Sequence, residues 1–261
     1  MPDSPALVES RQFGVRHIPS LRPLGWLARG WRDLMRCPAP GLMHGLAAAV
    51  FGAVVMMAGR HHVWLLAGAF SAFLLVAPLL ATGLYAISRA LERDRPADVG
   101  TALAAWQPDG RLMVFGLLLA FAGVGWMLTS ASLLLGLARV PVLTPQDFLR
   151  VVVLGGQPWL FEIWLGLGGL LAAPVFASSV IAIPLLLDRK VGVMAAVLTS
   201  WRVVQTHPLP MALWALLLTV LTGLGMATLM LGLIVVVPWL GHASWHAYRD
   251  LVSTRGLEEM P

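Results

Sequence analysis

Long stretches of the chain contain almost no charged side chains, and this constrains the fold more than any other feature of the sequence. Apolar stretches lie at 41–59, 63–88, 112–137 and 159–187, and a further run extends from Met211 to Tyr248. Since a hydrocarbon core about 30 Å thick takes roughly 20 helical residues, the last run is too long for one straight helix. We expect it to fold back near Gly225 to Gly232, which gives about six transmembrane helices.

Lipid dictates the secondary structure of these segments. Their backbone groups have no water to bond to, and the segments are too long and too continuously apolar for barrel strands, which alternate at every second residue. Only 12% of the residues are charged and 58% are hydrophobic, whereas a soluble domain carries roughly 25% charged residues. The predicted fold class is all-α, a polytopic membrane helix bundle.

The positive charges predict the orientation. Six spans place 15 of the 18 Lys and Arg residues on one side and only Arg60, Arg139 and Arg150 on the other. The cationic side faces the cytoplasm, so both termini are expected inside. We predict a cytoplasmic N-terminal segment (1–38), a transmembrane domain (39–250) and a cytoplasmic tail (251–261). The first 38 residues lack an apolar signal region, which favours a bacterial inner-membrane protein with a retained N-terminus.

An internal repeat suggests how the spans are grouped. Trp31-Arg32 precedes Pro38-Ala39-Pro40 as Trp201-Arg202 precedes Pro208-Leu209-Pro210, and Val99-Gly100 leading to Trp106 is a weaker copy. The repeat predicts three helical hairpins, each preceded by a short interfacial helix at about 24–36, 97–106 or 192–206. The return limbs carry Pro78, Pro184 and Pro238. These prolines predict kinks that either shape the packing or serve as hinges for transport.

Ionisable side chains in the apolar segments are the candidate functional residues. His242 and His246 are four residues apart and share a helix face, an arrangement that can bind a metal or haem, and His44 lies at the same predicted depth. Glu162 lies near the outer end of the fourth span, where a structural role competes with a proton or cation site. Because HExxH, CxxC and carboxylate-triad patterns are absent, no metal or cofactor is predicted.

The remaining patterns argue against catalysis and nucleic-acid binding. The sequence has no Walker, GxGxxG or GxSxG motif, and its cations are dispersed over the boundaries of the apolar segments. We predict a non-enzymatic protein of transporter-like or membrane-accessory type. The alternative is a redox, metal-binding or haem-binding membrane protein that uses the inner-leaflet histidines. Expected partners are the lipid bilayer and another membrane protein or a second copy, because Gly41 and Gly45 form a GxxxG motif.

Four segments resemble a known family. They are Trp26 to Leu34, Pro78 to Tyr85, Pro184 to Asp188 and Pro238 to His246. Together they resemble a proteobacterial family of predicted integral membrane proteins classed as a domain of unknown function, over about residues 20–250. The resemblance implies an inner-membrane location and a six-span body, and it brings no activity or ligand with it.

Overall fold

The structure is a computed structural model that describes residues 4–59, 81–106, 109–155 and 158–254. Most of the second predicted span, with Pro78, lies outside these residues. The helices are α1 (Pro5–Arg11), α2 (Arg22–Arg36), α3 (Pro38–Gly59), α4 (81–92), α5 (Val99–Ala104), α6 (Gly110–Leu137), α7 (Pro145–Asp147), α8 (Pro158–Ser179), α9 (Ala182–Asp188), α10 (Val193–Thr206), α11 (Pro208–Ala227) and α12 (Leu233–Leu251). A π-helix (Phe148–Val153) follows α7, and the strands are β1 (Gly14–Val15) and β2 (Val252–Ser253).

Within the described residues, four helical stretches are long and apolar enough to cross a membrane. They are Pro38–Ala58, Gly110–Leu137, Trp159–Asp188 and Pro208–Ala227, and no more than 33% of the most apolar part of each is buried. Apolar helices with this much exposed surface are suited to contact with lipid. The prediction of an all-α membrane protein agrees with this architecture.

Helix α12 has a different character from these four stretches. Its first half is apolar, and its second half carries His242, His246, Arg249 and Asp250. This half is largely buried, with His242, Trp245 and Tyr248 among its buried side chains. It packs along α2, where the indole of Trp26 is fully buried and Gly30 lies against the backbone of Ala243.

The chain forms two compact units. The first comprises Met1–Val50, Pro78–Phe115 and Phe176–Pro261, and its largest fully buried side chains include Trp26, Trp214, Trp245 and Tyr248. The second comprises Phe51–Ala77 and Gly116–Val175. In the second unit Trp164 packs against Trp126, and its indole N–H donates to Ser130 Oγ over 2.7 Å.

Two prolines interrupt helical hydrogen bonding where the sequence predicts kinks. Pro184 has no N–H to donate to the carbonyl of Val180, and the helix breaks at 180–181, where the Ile181 N–H donates to Ser200 Oγ. Pro238 leaves the carbonyl of Ile234 without its helical donor. That carbonyl lies directly against Gly45 of α3, at a separation that only a residue without a Cβ allows. The GxxxG motif therefore serves contact between α3 and α12 within one chain.

The N-terminal segment is bound to the end of α12 by contacts that the sequence does not predict. Strands β1 and β2 pair antiparallel, with Gly14 opposite Ser253. Helix α1 packs on α10, where Arg202 donates to the carbonyls of Ser10 (2.7 Å) and Phe13 (3.1 Å). Residues from both ends of the described chain thus form one assembly within the first unit.

Candidate functional site

A buried polar cluster joins three helices of the first unit. Asp33 comes from α2, Ser88 from α4, and His242 and His246 from α12. Ser88 Oγ lies 2.7 Å from Asp33 Oδ2 and 2.8 Å from His242 Nδ1, and His246 Nε2 lies 2.8 Å from the same Asp33 oxygen. Ser88 and His242 are completely buried. The i, i+4 spacing of the two histidines directs both of them toward one carboxylate–serine pair.

The hydrogen-bond chemistry sets the proton positions in the cluster. An ionised carboxylate only accepts, so Ser88 donates its single proton to Asp33 and accepts from His242 Nδ1–H. The second ring nitrogen of His242, Nε2, then carries a lone pair. Burial alone would raise the pKa of Asp33, but the hydrogen bonds from His246 and Ser88 outweigh it and hold that pKa below its ordinary value.

The cluster does not have the arrangement of a Ser–His–Asp catalytic relay. In such a relay the carboxylate orients the histidine that takes the serine proton. Here Asp33 accepts from the serine itself and from the other histidine, His246, and Ser88 is closed off from solvent. These contacts tie α2, α4 and α12 together, and they give no activated nucleophile.

His44 lies beside this cluster on α3. Its Nδ1 donates to the Pro40 carbonyl over 2.6 Å, and its ring packs edge-on against Trp106. Its Nε2 is buried and, like that of His242, has no hydrogen-bond partner among the described residues.

The histidines do not form a complete metal centre within the described residues. No group of three or more His, Cys, Asp or Glu side chains has the geometry to hold a metal ion there. The packing is also tight: a Cβ at Gly83 would lie 2.5 Å from His44 Nε2, and one at Gly41 would lie 3.5 Å from His242 Nε2. Each Nε2 atom is therefore closely packed against a glycine of a neighbouring helix.

Glu162 belongs to the second unit, whereas the three candidate histidines belong to the first. Its side chain on α8 is exposed. The structure therefore brings together His242 and His246, with His44 alongside, and places Glu162 in a separate part of the chain.

The first unit also contains an arginine-lined pocket of about 690 Å³. This is within the range of roughly 300–1,000 Å³ typical of small-molecule sites. The residues that line it are Ala86, Arg89, Ala90, Arg93, Arg95, Pro96, Thr101, Ala104, Ala105, Asp109, Gly110, Arg111, Leu112 and Leu187. Four of them are arginines and one is a carboxylate, so the lining carries a net positive charge.

Backbone carbonyls and Asp109 fix one of these arginines in place. Arg111 donates to the carbonyls of Leu186, Arg189 and Val191, each over 3.2 Å, and forms an ion pair with Asp109. It thereby satisfies carbonyls at the C-terminal end of α9, which otherwise lack donors. Burial alone would raise the pKa of Asp109, but the hydrogen bonds from Arg111 lower it, so Asp109 is ionised.

The other three arginines differ in how they are held. Arg89 donates to the Leu187 carbonyl over 3.3 Å, and Arg93 lies 3.7 Å from the buried carboxylate of Asp188. Arg95 is exposed, and no hydrogen bond or ion pair joins its side chain to another residue of the described segments. Its guanidinium is available to a ligand, beside a lining that is already positive.

In the sequence these arginines indicate the membrane topology, and their positions do not predict the pocket. Arg89 on α4 and Arg93 directly after it are four residues apart, which is a local signal. Their proximity to Arg111 and Leu187, however, depends on how α4, α5, α6 and α9 pack. The same holds for the polar cluster, since nothing near Ser88 in the sequence points to Asp33.

The comparisons with known proteins agree with a membrane location. A family model described as predicted integral membrane protein (DUF2189) matches residues 65–188, just under half of the chain. Neither a curated protein nor a solved structure gives a significant match. With its four long apolar helical stretches, the chain is an integral membrane protein that resembles this family.

Proposed function

We propose that this protein is a non-enzymatic inner-membrane protein that binds a phosphate-bearing anion in the arginine-lined pocket. The observation that carries the proposal is the composition of that pocket: four arginines and one carboxylate around about 690 Å³. Guanidinium groups match phosphate oxygens in geometry and charge. A pocket of this kind suits a transporter-like or membrane-accessory protein that recognises an anionic group.

The topology proposed with this function has six spans and both termini in the cytoplasm. Support comes from the four apolar helical stretches, from the length of α12 and from the distribution of the cations. The arginines of the pocket lie in segments that this topology assigns to the cytoplasmic side. The three-hairpin repeat and the inner-membrane location belong to the same proposal.

The proposal is tested by thermal unfolding of the purified full-length protein in an uncharged detergent. Phosphate, glycerol 3-phosphate and phosphatidylglycerol are titrated at constant ionic strength, with chloride as the reference anion. A ligand that binds the folded state raises the melting temperature in a saturable way. We expect this increase for at least one phosphate-bearing compound and expect Arg95→Glu to abolish it.

Arg32→Glu is the matched control. Arg32 is an exposed arginine on α2, assigned to the same side of the membrane and outside the pocket lining. The Arg32→Glu variant should respond to phosphate compounds as the wild-type protein does. If no phosphate-bearing compound stabilises the wild-type protein, or if the two variants lose the response equally, the proposed function is wrong.

A second candidate function, metal binding, is favoured by the buried Nε2 atoms of His44 and His242, which have no hydrogen-bond partner among the described residues. Two imidazoles are fewer ligands than most metal sites use, so this candidate ranks below anion binding. Stoichiometric metal in the purified protein that is lost in His44→Ala would support it. A metal-free protein after growth and dialysis with Zn²⁺ or Cu²⁺ would remove it.

A further inference from the structure

We infer that the arginine-lined pocket holds the phosphate headgroup of an anionic phospholipid taken from the surrounding bilayer. This inference rests on the proposed function and specifies its ligand. Three features of the pocket carry it: its depth relative to the apolar helices, the mixture of residues that line it and the exposed apolar surface beside it.

The pocket lies where two membrane-spanning candidates end. The stretch Gly110–Leu137 begins with the pocket residues Gly110, Arg111 and Leu112, and the stretch Trp159–Asp188 ends one residue after Leu187. A lipid phosphate lies at this level, just outside the hydrocarbon core. A soluble ligand would not require the pocket to lie at the ends of the apolar helices.

The lining combines charged and apolar groups in the way a lipid headgroup region does. Guanidiniums face the pocket together with alanine and leucine side chains, namely Ala86, Ala90, Ala104, Ala105, Leu112 and Leu187. The volume also exceeds what a bare phosphate ion fills. It leaves room for the glycerol group next to the phosphate. Basic pockets between membrane helices on the cytoplasmic side bind anionic lipid headgroups in this manner.

Exposed apolar side chains continue from the pocket toward the membrane. Met113 and Val114, in the turn of α6 that follows the lining residues, are 57% and 52% exposed, and Leu103 of α5 is 53% exposed. Such a surface can accompany acyl chains that leave the pocket toward the hydrocarbon. Arg95, with its available guanidinium, is the residue through which the phosphate is bound most directly.

Native mass spectrometry of the full-length protein tests the lipid. Phosphatidylglycerol, phosphatidylcholine and glycerol 3-phosphate are added separately to delipidated protein in an uncharged detergent. We expect retention of phosphatidylglycerol in preference to phosphatidylcholine and no displacement by equimolar glycerol 3-phosphate. Arg95→Glu should weaken phosphatidylglycerol retention about tenfold or more, whereas Arg32→Glu should leave it unchanged.

The other possible results overturn either the lipid inference alone or both proposals. If glycerol 3-phosphate binds through Arg95 as tightly as the lipid does, the ligand is a soluble phosphate ester, so the lipid inference fails and the proposed function stands. If phosphatidylglycerol binds equally to both variants, the lipid site lies elsewhere and the inference fails. If no phosphate compound binds, both fail. Near-ultraviolet circular dichroism of each variant verifies that it is folded.

Discussion

At the scale of single residues, Gly45 determines how closely α3 approaches α12. The carbonyl of Ile234 lies directly against it, and that carbonyl lacks its helical donor because Pro238 has no N–H. A proline in one helix is thus matched by a glycine in another. The GxxxG pattern predicted close helix contact, but the sequence could not specify that the partner is a proline-interrupted helix of the same chain.

Gly45→Ala is expected to destabilise the protein by about 1–3 kcal/mol, because the added methyl group would overlap the Ile234 carbonyl and force the helices apart. Gly125→Ala is the matched control, since a Cβ there meets nothing within 4 Å. Thermal unfolding of both variants in detergent measures the difference. Equal melting temperatures would show that α3 and α12 do not pack in this way.

Asp33 gives the polar cluster a defined pH dependence. Its folded-state pKa lies below the ordinary value of 3.8, so its ionised form stabilises the fold fully above pH 3.8. That contribution is lost as the pH falls through the folded-state pKa. Asp33→Asn should therefore unfold more easily than the wild-type protein at pH 7 and show a smaller further loss on acidification.

Unfolding temperatures measured from pH 7 to pH 3 provide the comparison for Asp33. Thr219→Ala serves as the control, because Thr219 is exposed and its hydroxyl donates to the Ala215 carbonyl of its own helix. It should follow the wild-type pH profile. Parallel profiles for Asp33→Asn and the wild-type protein would mean that Asp33 is not held as an ionised acceptor.

At the scale of elements, local patterns predicted the helices, and long-range packing decided the rest. The predicted segments 24–36 and 192–206 correspond closely to α2 and α10, because aliphatic and Trp positions mixed with Arg, followed by a proline, are typical of a short amphipathic helix. The break at 180–181 follows from Pro184. The strands β1 and β2 have only two residues each, and nothing local distinguishes so short a strand from a loop.

The candidate site was predictable only in part, because long-range packing brings its residues together. The spacing of His242 and His246 shows a shared helix face, which the structure contains. Their partners come from α2 and α4, more than 150 residues away in sequence. The arginine-lined pocket likewise depends on which helix ends lie next to each other. The helical periodicity of the sequence does not predict this.

Arg202 is one of the side chains that hold the N-terminal segment on α10, together with Thr199, which contacts Ser10. Arg202→Ala removes its two hydrogen bonds to the carbonyls of Ser10 and Phe13 and should loosen α1 and β1 without unfolding the apolar helices. Limited trypsin digestion measures this, because cleavage after Arg11 or Arg16 should become several times faster. Arg32→Ala, which removes an exposed arginine, should leave the rate unchanged. Equal rates in both variants would contradict the contact.

At the scale of the whole molecule, the proposed topology places the segments around Asp94 and Leu143 on opposite sides of the membrane. The two single-cysteine variants for testing it are Asp94→Cys and Leu143→Cys, both made in a Cys37→Ala background. Both native side chains are exposed. A membrane-impermeant maleimide applied to intact cells should label the cysteine at 143, and the cysteine at 94 only after permeabilisation. Labelling of both without permeabilisation would overturn the six-span orientation.

The pairing of α2 with α12 also bears on how the protein is made. Trp26, Arg22 and Arg29 all bind Asp250, and Asp250 follows Arg22 by 228 positions. During synthesis, α2 leaves the ribosome long before α12 has been made. Until then, the face of α2 that α12 will bury is covered only by the membrane surface or by a chaperone. Burial of that face therefore marks the stage at which α12 has been synthesised and has packed on α2.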